Sequence, residues 1–338
     1  MSANLIKCLK QVENMHRVIG KRYYMQHGIN PFWIIANSTA VYEKIAPFNR
    51  TKECTNIRTY DFTNMYTSIP HQLLKTQIKQ VVKTAFEFTN KPFLNVYKNY
   101  AHFAKASKGK ALSLDYNKLC ELIDWLIDNI FVTFGEKVFQ QTIGIPMGTD
   151  CAPFLANLFC YSYEFKWIDD QVKLKKFNLI KLFCCCSRYI DDLLMINNDD
   201  VMAKVMNDIY PKDLMLIPDK FNSREAPYLD MFLKLQDGVI TFSIFDKRDA
   251  FSFPIINFPT LTGNIPLKSS YGVFVCELVR YARVCTLYTD FKDRVQILVK
   301  KLLKQFYTES GLRKTFYKFC DMHFLLIQKY GPQILDTW

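Results

Sequence analysis

Two adjacent carboxylates, Asp191 and Asp192, sit between the apolar runs 182–186 and 193–196, with Tyr189-Ile190 just before them. Short apolar runs bounded by polar residues read as strands, and the stretch between them as a hairpin turn. Two acids held at the tip of such a hairpin repel each other, and a divalent cation is the common means of offsetting that repulsion. The other Asp-Asp pairs, 169–170 and 199–200, follow a helical run and precede one, where solvated turns and caps explain them. Asp61 offers a third carboxylate, because it ends a β-prone run over 57–62. On its own it reads as a strand-end cap; strands lying side by side would bring all three acids together. Oxygen ligands from few residues, with room left for phosphate and water, suit Mg²⁺ rather than zinc. Two such ions about 3.5–4 Å apart serve nucleotidyl transfer.

The charge distribution points to an anionic partner. The chain of 338 residues carries 44 Lys and Arg against 32 Asp and Glu, a net charge of +12. Residues 71–113 hold eight lysines against one acid, and residues 268–338 twelve basic residues against six acidic ones. Solvated helix faces account for many such runs. Two separate basic segments, one interleaved with Phe93, Tyr97, Tyr100 and Phe103, fit a nucleic-acid groove better. About half the residues are apolar, enough for a buried core. The eleven cysteines include three in a row and no CxxC pair, which indicates buried thiols in a reducing compartment. Cys320 and His323 have CxxH spacing, without a second pair to complete a zinc site. No apolar run approaches the roughly 18–20 residues that cross a bilayer, and the start lacks a signal-peptide core. A membrane or secreted protein is therefore disfavoured.

The patterning predicts a mixed α+β order followed by a helical basic tail. Residues 1–56 are mixed, with a turn-rich centre around Asn30-Pro31. Pro70 opens a helix with Leu73, Leu74, Ile78, Val81 and Val82 on one face. Residues 91–113 read as basic and irregular. Leu119, Leu122, Ile123, Leu126, Ile127 and Ile130 predict a helix over 116–131. Gly135-Glu136 and Asp237-Gly238 mark hairpins. Pro153 sits near the start of a helix reaching about Trp167, and another helix is predicted over 199–209. Three more are expected near 270–288, 291–306 and 311–329.

Four blocks together resemble the reverse transcriptases. Asp61-Phe-Thr-Asn-Met-Tyr66-Thr-Ser-Ile-Pro70 resembles their first palm motif, and Gly144-Ile-Pro146-Met147-Gly148-Thr-Asp-Cys-Ala-Pro153 the second. Tyr189-Ile-Asp191-Asp192 matches the YxDD hairpin, and Tyr228-Leu229-Asp230 resembles the primer grip. With Tyr281-Ala-Arg283, the wording is most similar to Penelope-like retroelement enzymes, relatives of telomerase reverse transcriptase. The resemblance spans about 57–330.

The resemblance implies a polymerase palm with an antiparallel sheet backed by helices, reduced fingers and a helical thumb. The corresponding division is 1–56 as partial fingers, 57–267 as palm with a basic insertion at 71–113 able to hold the template strand, and 268–338 as thumb. It implies that Asp61, Asp191 and Asp192 are catalytic and hold two Mg²⁺ ions, with Mn²⁺ as substitute, and that the Phe62 backbone helps hold the nucleotide. Tyr66 corresponds to the aromatic gate against a ribose 2′-hydroxyl, since a ring under C2′ leaves no room for that oxygen. Gly144, Pro146, Met147 and Gly148 correspond to the nucleotide-binding turn; Met147 stands where many relatives carry a glutamine, and a thioether bonds poorly. Tyr189, Tyr228, Leu229 and Asp230 are implied to meet the primer strand, and Arg280, Arg283, Arg294, Lys300, Lys301 and Lys304 the duplex phosphates. Only 60 residues precede Asp61, leaving Arg50, Lys52 and Arg58 as candidates for the triphosphate clamp. No GIY–YIG nuclease or ribonuclease H set is recognisable. The implied activity is RNA-directed DNA synthesis from dNTPs on an RNA or DNA template with primer, in an intracellular, nuclear setting. The alternatives are a truncated, catalytically weak or inactive nucleic-acid-binding protein, and an RNA polymerase on the same palm.

Overall fold

The computed structural model describes all residues except 1, 110, 111, 146, 254, 256 and 257, and only the backbone of residue 2. In chain order, α1 (Ser2–His27) and α2 (Thr39–Thr51) precede β1 (Ile57–Thr63), α3 (Met65–Ser68) and α4 (His71–Thr89). Next come β2 (Phe93–Val96), β3 (Ala101–Ala104), β4 (Leu112–Leu114), α5 (Tyr116–Asp128), β5 (Phe131–Phe134) and β6 (Lys137–Gln140). The centre holds α6 (Ala152–Lys173), α7 (Phe177–Lys181), β7 (Cys186–Tyr189), β8 (Asp192–Ile196), α8 (Val201–Ile209) and β9 (Met215–Pro218). The chain finishes with β10 (Glu225–Tyr228), β11 (Met231–Gln236), β12 (Val239–Ile244), α9 (Leu267–Val284), α10 (Tyr288–Leu303), α11 (Glu309–Met322) and α12 (Phe324–Ile327). It divides into one compact unit of residues 1–35 and 58–220 and a second of 36–57 and 221–338.

In the first unit a four-stranded sheet runs in the order β7-β8-β1-β9, with β7 antiparallel to β8 and β1 antiparallel to β9. Tyr60 and Phe62 of β1, Leu193 and Met195 of β8, and Leu216 of β9 enter one core with α1, α4, α5 and α6. Side chains alternate along a strand, so the residues between these point to the opposite face. The α1 stripe of Leu5, Cys8, Leu9, Val12 and Tyr23 joins this core. Asp115 caps α5 by accepting from the Lys118 amide at 2.8 Å, and Lys75 and Lys79 of α4 pair with Asp128 and Asp124 of α5.

Several expectations shift. Residues 91–113 are not irregular: they contain the antiparallel sheet β3-β2-β4. Strands of three or four residues are too short to display a period of two. Helix α6 runs on to Lys173, so Asp169 and Asp170 lie inside it, where both pair with Lys173. Asp200 does not cap α8 with its side chain; it pairs with Arg58, and Asn198 Oδ1 accepts from the Met202 amide at 2.7 Å.

In the second unit, β10-β11-β12 form an antiparallel sheet. The β11–β12 turn places Asp237 at φ 51° and Gly238 at φ 78°. A Cβ on Gly238 would stand 2.2 Å from the Lys52 carbonyl oxygen, so only glycine fits. Asn49 of α2 bonds both the amide and the carbonyl of Ile240 at 2.8 Å. Buried Phe274 and Leu278 of α9, Phe291, Val295 and Leu298 of α10, and Leu312, Phe316 and Phe319 of α11 form the apolar interior of the helical part. Among the described residues no helix is long and apolar enough to cross a membrane.

Candidate active site

Strand pairing sets the backbone next to Asp61 against the backbone of Asp191. The Phe62 amide donates to the Asp191 carbonyl at 3.3 Å, and β8, which begins at Asp192, is the neighbour of β1. Phe62, Leu193 and Met195 face the core, so Asp61 and Asp192 project from the opposite face of the same sheet. That face is open at this end. Asp61 is exposed, its partner on β9, Ile217, is also exposed, and Asp191 and Asp192 are half-buried.

The turn that carries Asp191 is strained and deliberately held. Tyr189 and Asp192 are register partners, so Ile190 and Asp191 form a two-residue loop. Ile190 has φ 57°, a left-handed conformation that a β-branched side chain rarely adopts. Such strain persists only where surrounding structure over-determines it. Here Arg188, fully buried, does so. Its Nη1 donates to the Ile190 carbonyl at 3.0 Å and to Asn157 Oδ1 at 3.0 Å. Its Nη2 donates to the Asn157 carbonyl at 3.0 Å and to Glu164 Oε2 at 3.1 Å, and its Nε to Glu164 Oε1 at 2.5 Å. All five guanidinium N–H groups are therefore engaged. Tyr210 donates its hydroxyl to the same Glu164 at 2.9 Å. Burial alone would lower the guanidinium pKa, but Glu164 at close range raises it above the ordinary arginine value. The Arg188 backbone is fixed too, its amide donating to the Trp33 carbonyl and its carbonyl accepting from the Ile35 amide, each at 2.9 Å. Sequence reasoning missed Arg188 and Glu164. The available signal was an arginine inside an apolar strand, a charge that must find a partner if it is buried.

Gly144 and Ile145 dock onto the segment that follows Asp61. The Ile145 amide donates to the Tyr66 carbonyl at 2.7 Å, and the Gly144 amide to the Ile69 carbonyl at 2.8 Å. His71 Nε2 lies 2.9 Å from the Gly144 carbonyl. Gly144 has φ 87°, and a Cβ there would stand 2.3 Å from the Tyr66 carbonyl oxygen, so the contact requires glycine. Gly148, at φ 101°, has open space around it. Tyr66, Met147, Gly148, Thr149, Asp150 and Pro153 line a cavity of about 510 Å³, with Met147 74% exposed at its rim. Pro146 lies outside the described residues. Burial, and then the Asp191 charge, push the Tyr66 phenol up to about 12, so it stays protonated and lies within electrostatic reach of Asp191.

In the second unit, Tyr228 is buried and pairs with Met231 across a loop of Leu229 and Asp230, Leu229 having φ 57°. This repeats the geometry of the 189–192 turn. Asp230 lies 3.7 Å from Arg280, which also pairs with Glu277 at 2.7 Å. Arg294 pairs with Asp249 at 2.6 Å and with Asp246 at 3.6 Å, and Lys301 pairs with Asp249 at 3.1 Å. Hydrogen bonds from Arg248 hold the Asp246 carboxyl down at about 2. Three of the six expected phosphate-contact cations are thus matched by the chain's own acids. Arg283, Lys300 and Lys304 are exposed, without an ion pair among the described residues.

The donor chemistry of Asp61, Asp191 and Asp192, all carboxylate oxygen, fits a hard divalent cation such as Mg²⁺ or Mn²⁺. The acids are not gathered in advance: among the described residues no group of three or more His, Cys, Asp or Glu is placed to hold a metal ion.

No family model matches the chain, and no curated protein matches it. Among solved structures it is similar to telomerase from Candida albicans in complex with a TWJ fragment of telomeric RNA, with TM-score 0.53 and 11% identity over 98% of this chain and 54% of that one. It is also similar to apo telomerase from Candida tropicalis, with TM-score 0.50 and 14% identity over 97% and 54%. The chain therefore spans about half the length of these neighbours. At such identities the likeness is one of fold: a mixed α+β architecture similar to that of these telomerases.

Proposed function

We propose that the chain is an RNA-directed DNA polymerase of the Penelope-like type. The observation that carries this reading is the Phe62–Asp191 backbone hydrogen bond, with Asp61 and Asp192 on one open face of the sheet. Asp61 and Asp191, with Asp192 beside them, would hold two Mg²⁺ ions, or Mn²⁺ in their place. When bound, such ions supply activation of the primer 3′-hydroxyl and neutralisation of charge at the α-phosphate of a dNTP. The Tyr66 ring would lie under the sugar and leave no room for a 2′-hydroxyl, selecting deoxynucleotides. Gly144, having no Cβ, would let the nucleotide-binding turn lie close against the Tyr66 backbone. Arg188 holds the strained Ile190 turn, and so aims Asp191. The partners in this reading are a primed RNA or DNA template and dNTPs, in the nucleus.

Primer extension by wild type and Asp191→Asn tests the proposal. Incorporation by wild type and its loss in the variant are expected; equal incorporation by both removes the assigned role. Comparing dNTP with NTP use in Tyr66→Ala tests the gate. A second reading, a nucleic-acid-binding protein without catalysis, draws on the absence of a ready-made acid cluster among the described residues. Wild type that binds primer–template in a salt-dependent way and never extends it would favour that reading.

A further inference from the structure

The basic segment 71–113 does not carry its charge uniformly. Lys75 pairs with Asp128, Lys79 with Asp124 and Lys83 with Glu87. Those on α4 are therefore matched by acids. Lys98, Lys105 and Lys108 are exposed and have no ion pair among the described residues; all three lie on the loops of the β3-β2-β4 sheet. The unmatched positive charge of the segment is concentrated on this small sheet.

The same sheet presents three rings. Tyr97 and Tyr100 flank the tight β2–β3 turn, where the Tyr97 amide donates to the Tyr100 carbonyl at 2.8 Å, and His102 lies two residues further along the same face of β3. Ring centroids are 4.9 Å apart for Tyr97–Tyr100, 5.4 Å for Tyr97–His102 and 6.1 Å for Tyr100–His102, with planes 12–28° apart. The three rings are thus nearly parallel and mutually adjacent. Tyr100 is 57% exposed. His102 Nδ1 is buried and has no hydrogen-bond partner among the described residues, and its ring packs against both tyrosines. Lys7 donates to the Tyr97 carbonyl at 2.9 Å and tethers the turn to α1. The turn is thus held by a hydrogen bond across it and by a tether to α1.

One exposed ring, Tyr100, with half-buried Tyr97 and His102 against it, on a sheet whose loops carry unmatched lysines, suits a single-stranded nucleic acid: bases stack on the rings and phosphates meet the ammonium groups. Bases inside a duplex already stack on each other and offer no free face. We infer that Tyr97, Tyr100 and His102, with Lys98 and Lys105, form a stacking platform for single-stranded nucleic acid. This rests on the reading that the chain handles nucleic acid, but not on catalysis.

Fluorescence anisotropy of the full chain tests it, with labelled oligothymidylate, oligouridylate and a blunt DNA duplex as probes, without dNTP or divalent ion and across a range of salt. Tyr100→Ala is expected to weaken single-strand binding about 5- to 150-fold, as loss of one base–aromatic stack does. Its salt slope stays unchanged, Tyr100→Phe retains binding, and duplex affinity does not move. Lys98→Ala with Lys105→Ala instead lowers the slope by about 0.7 per phosphate contact removed. Equal loss for DNA and RNA indicates a platform blind to the 2′-hydroxyl; loss for one alone identifies the strand it serves. Wild-type affinity in Tyr100→Ala, equal loss on duplex, or failure of Tyr100→Phe to retain binding overturns the inference, as does capture of a peptide with no effect on nucleic acid. A wild type that never extends a primer while the Tyr100 dependence persists removes the polymerase reading alone.

Discussion

Removing the Glu164 charge should cost the first unit much of its stability. Glu164 and Arg188 are both fully buried, with two hydrogen bonds between them and a third from Tyr210 to Glu164. Glu164→Gln keeps the shape but leaves the guanidinium charged and uncompensated in the core. Breaking a buried pair in this way costs about 3–5 kcal/mol, against a total stability of about 5–15 kcal/mol for a domain. With a urea slope of roughly 2–3 kcal/mol per molar, the unfolding midpoint should fall by about 1–2.5 M. Far-UV circular dichroism during urea titration reads this directly. The double variant Glu164→Leu/Arg188→Met should regain most of the midpoint, because apolar replacements of a whole buried pair are often neutral or better. It should still fail in primer extension, because the Ile190 carbonyl has lost its donor and the strained turn relaxes. A single variant whose midpoint stays within about 0.3 M of wild type, under 1 kcal/mol at that slope, would refute the reasoning.

Three other outcomes follow from the geometry. His16 is buried, with Nε2 2.8 Å from the Val81 carbonyl, and burial lowers its pKa to about 4. The unfolded chain then binds a proton that the folded one does not, so stability falls as pH drops from about 6.5 to about 4, by up to about 3 kcal/mol; His16→Gln should flatten the urea midpoint over that window. Gly144→Ala should destabilise by about 2–3 kcal/mol and Gly148→Ala by only about 1, since both strain the backbone but only the first also meets the Tyr66 carbonyl; thermal melts of the two distinguish them. Lys300→Ala and Lys304→Ala should each lower the salt slope of duplex binding by about 0.9, whereas Arg294→Ala, by breaking its pairs with Asp246 and Asp249, should act on thermal stability.

What was legible in the sequence was local. The β1 run, the 189–192 and 236–239 turns and the α5 stripe each announce themselves within a dozen residues, through one period or one turn dipeptide. Helix α1 was missed because Glu13 and His16 are buried beside its apolar stripe and interrupt it. The 91–113 sheet was missed because its strands are shorter than the pattern that would reveal them. The acids stand out in the sequence because carboxylates between apolar runs need a reason. Arg188 was not, because its partners Glu164 and Asn157 lie 24 and 31 residues away on α6, a separation only the fold closes. The same holds for Asp246 and Asp249, which match Arg294 from a loop some 45 residues upstream.

The central claim is that Asp61 and the 191–192 turn act as one cation-holding group. Anomalous diffraction from crystals soaked in Mn²⁺ with primer–template and dNTP examines it most directly. Peaks between the carboxylates of Asp61 and Asp191, absent in Asp61→Asn crystals soaked alike, are the expected result. Well-ordered crystals with bound nucleotide and no peak at those carboxylates would contradict the account.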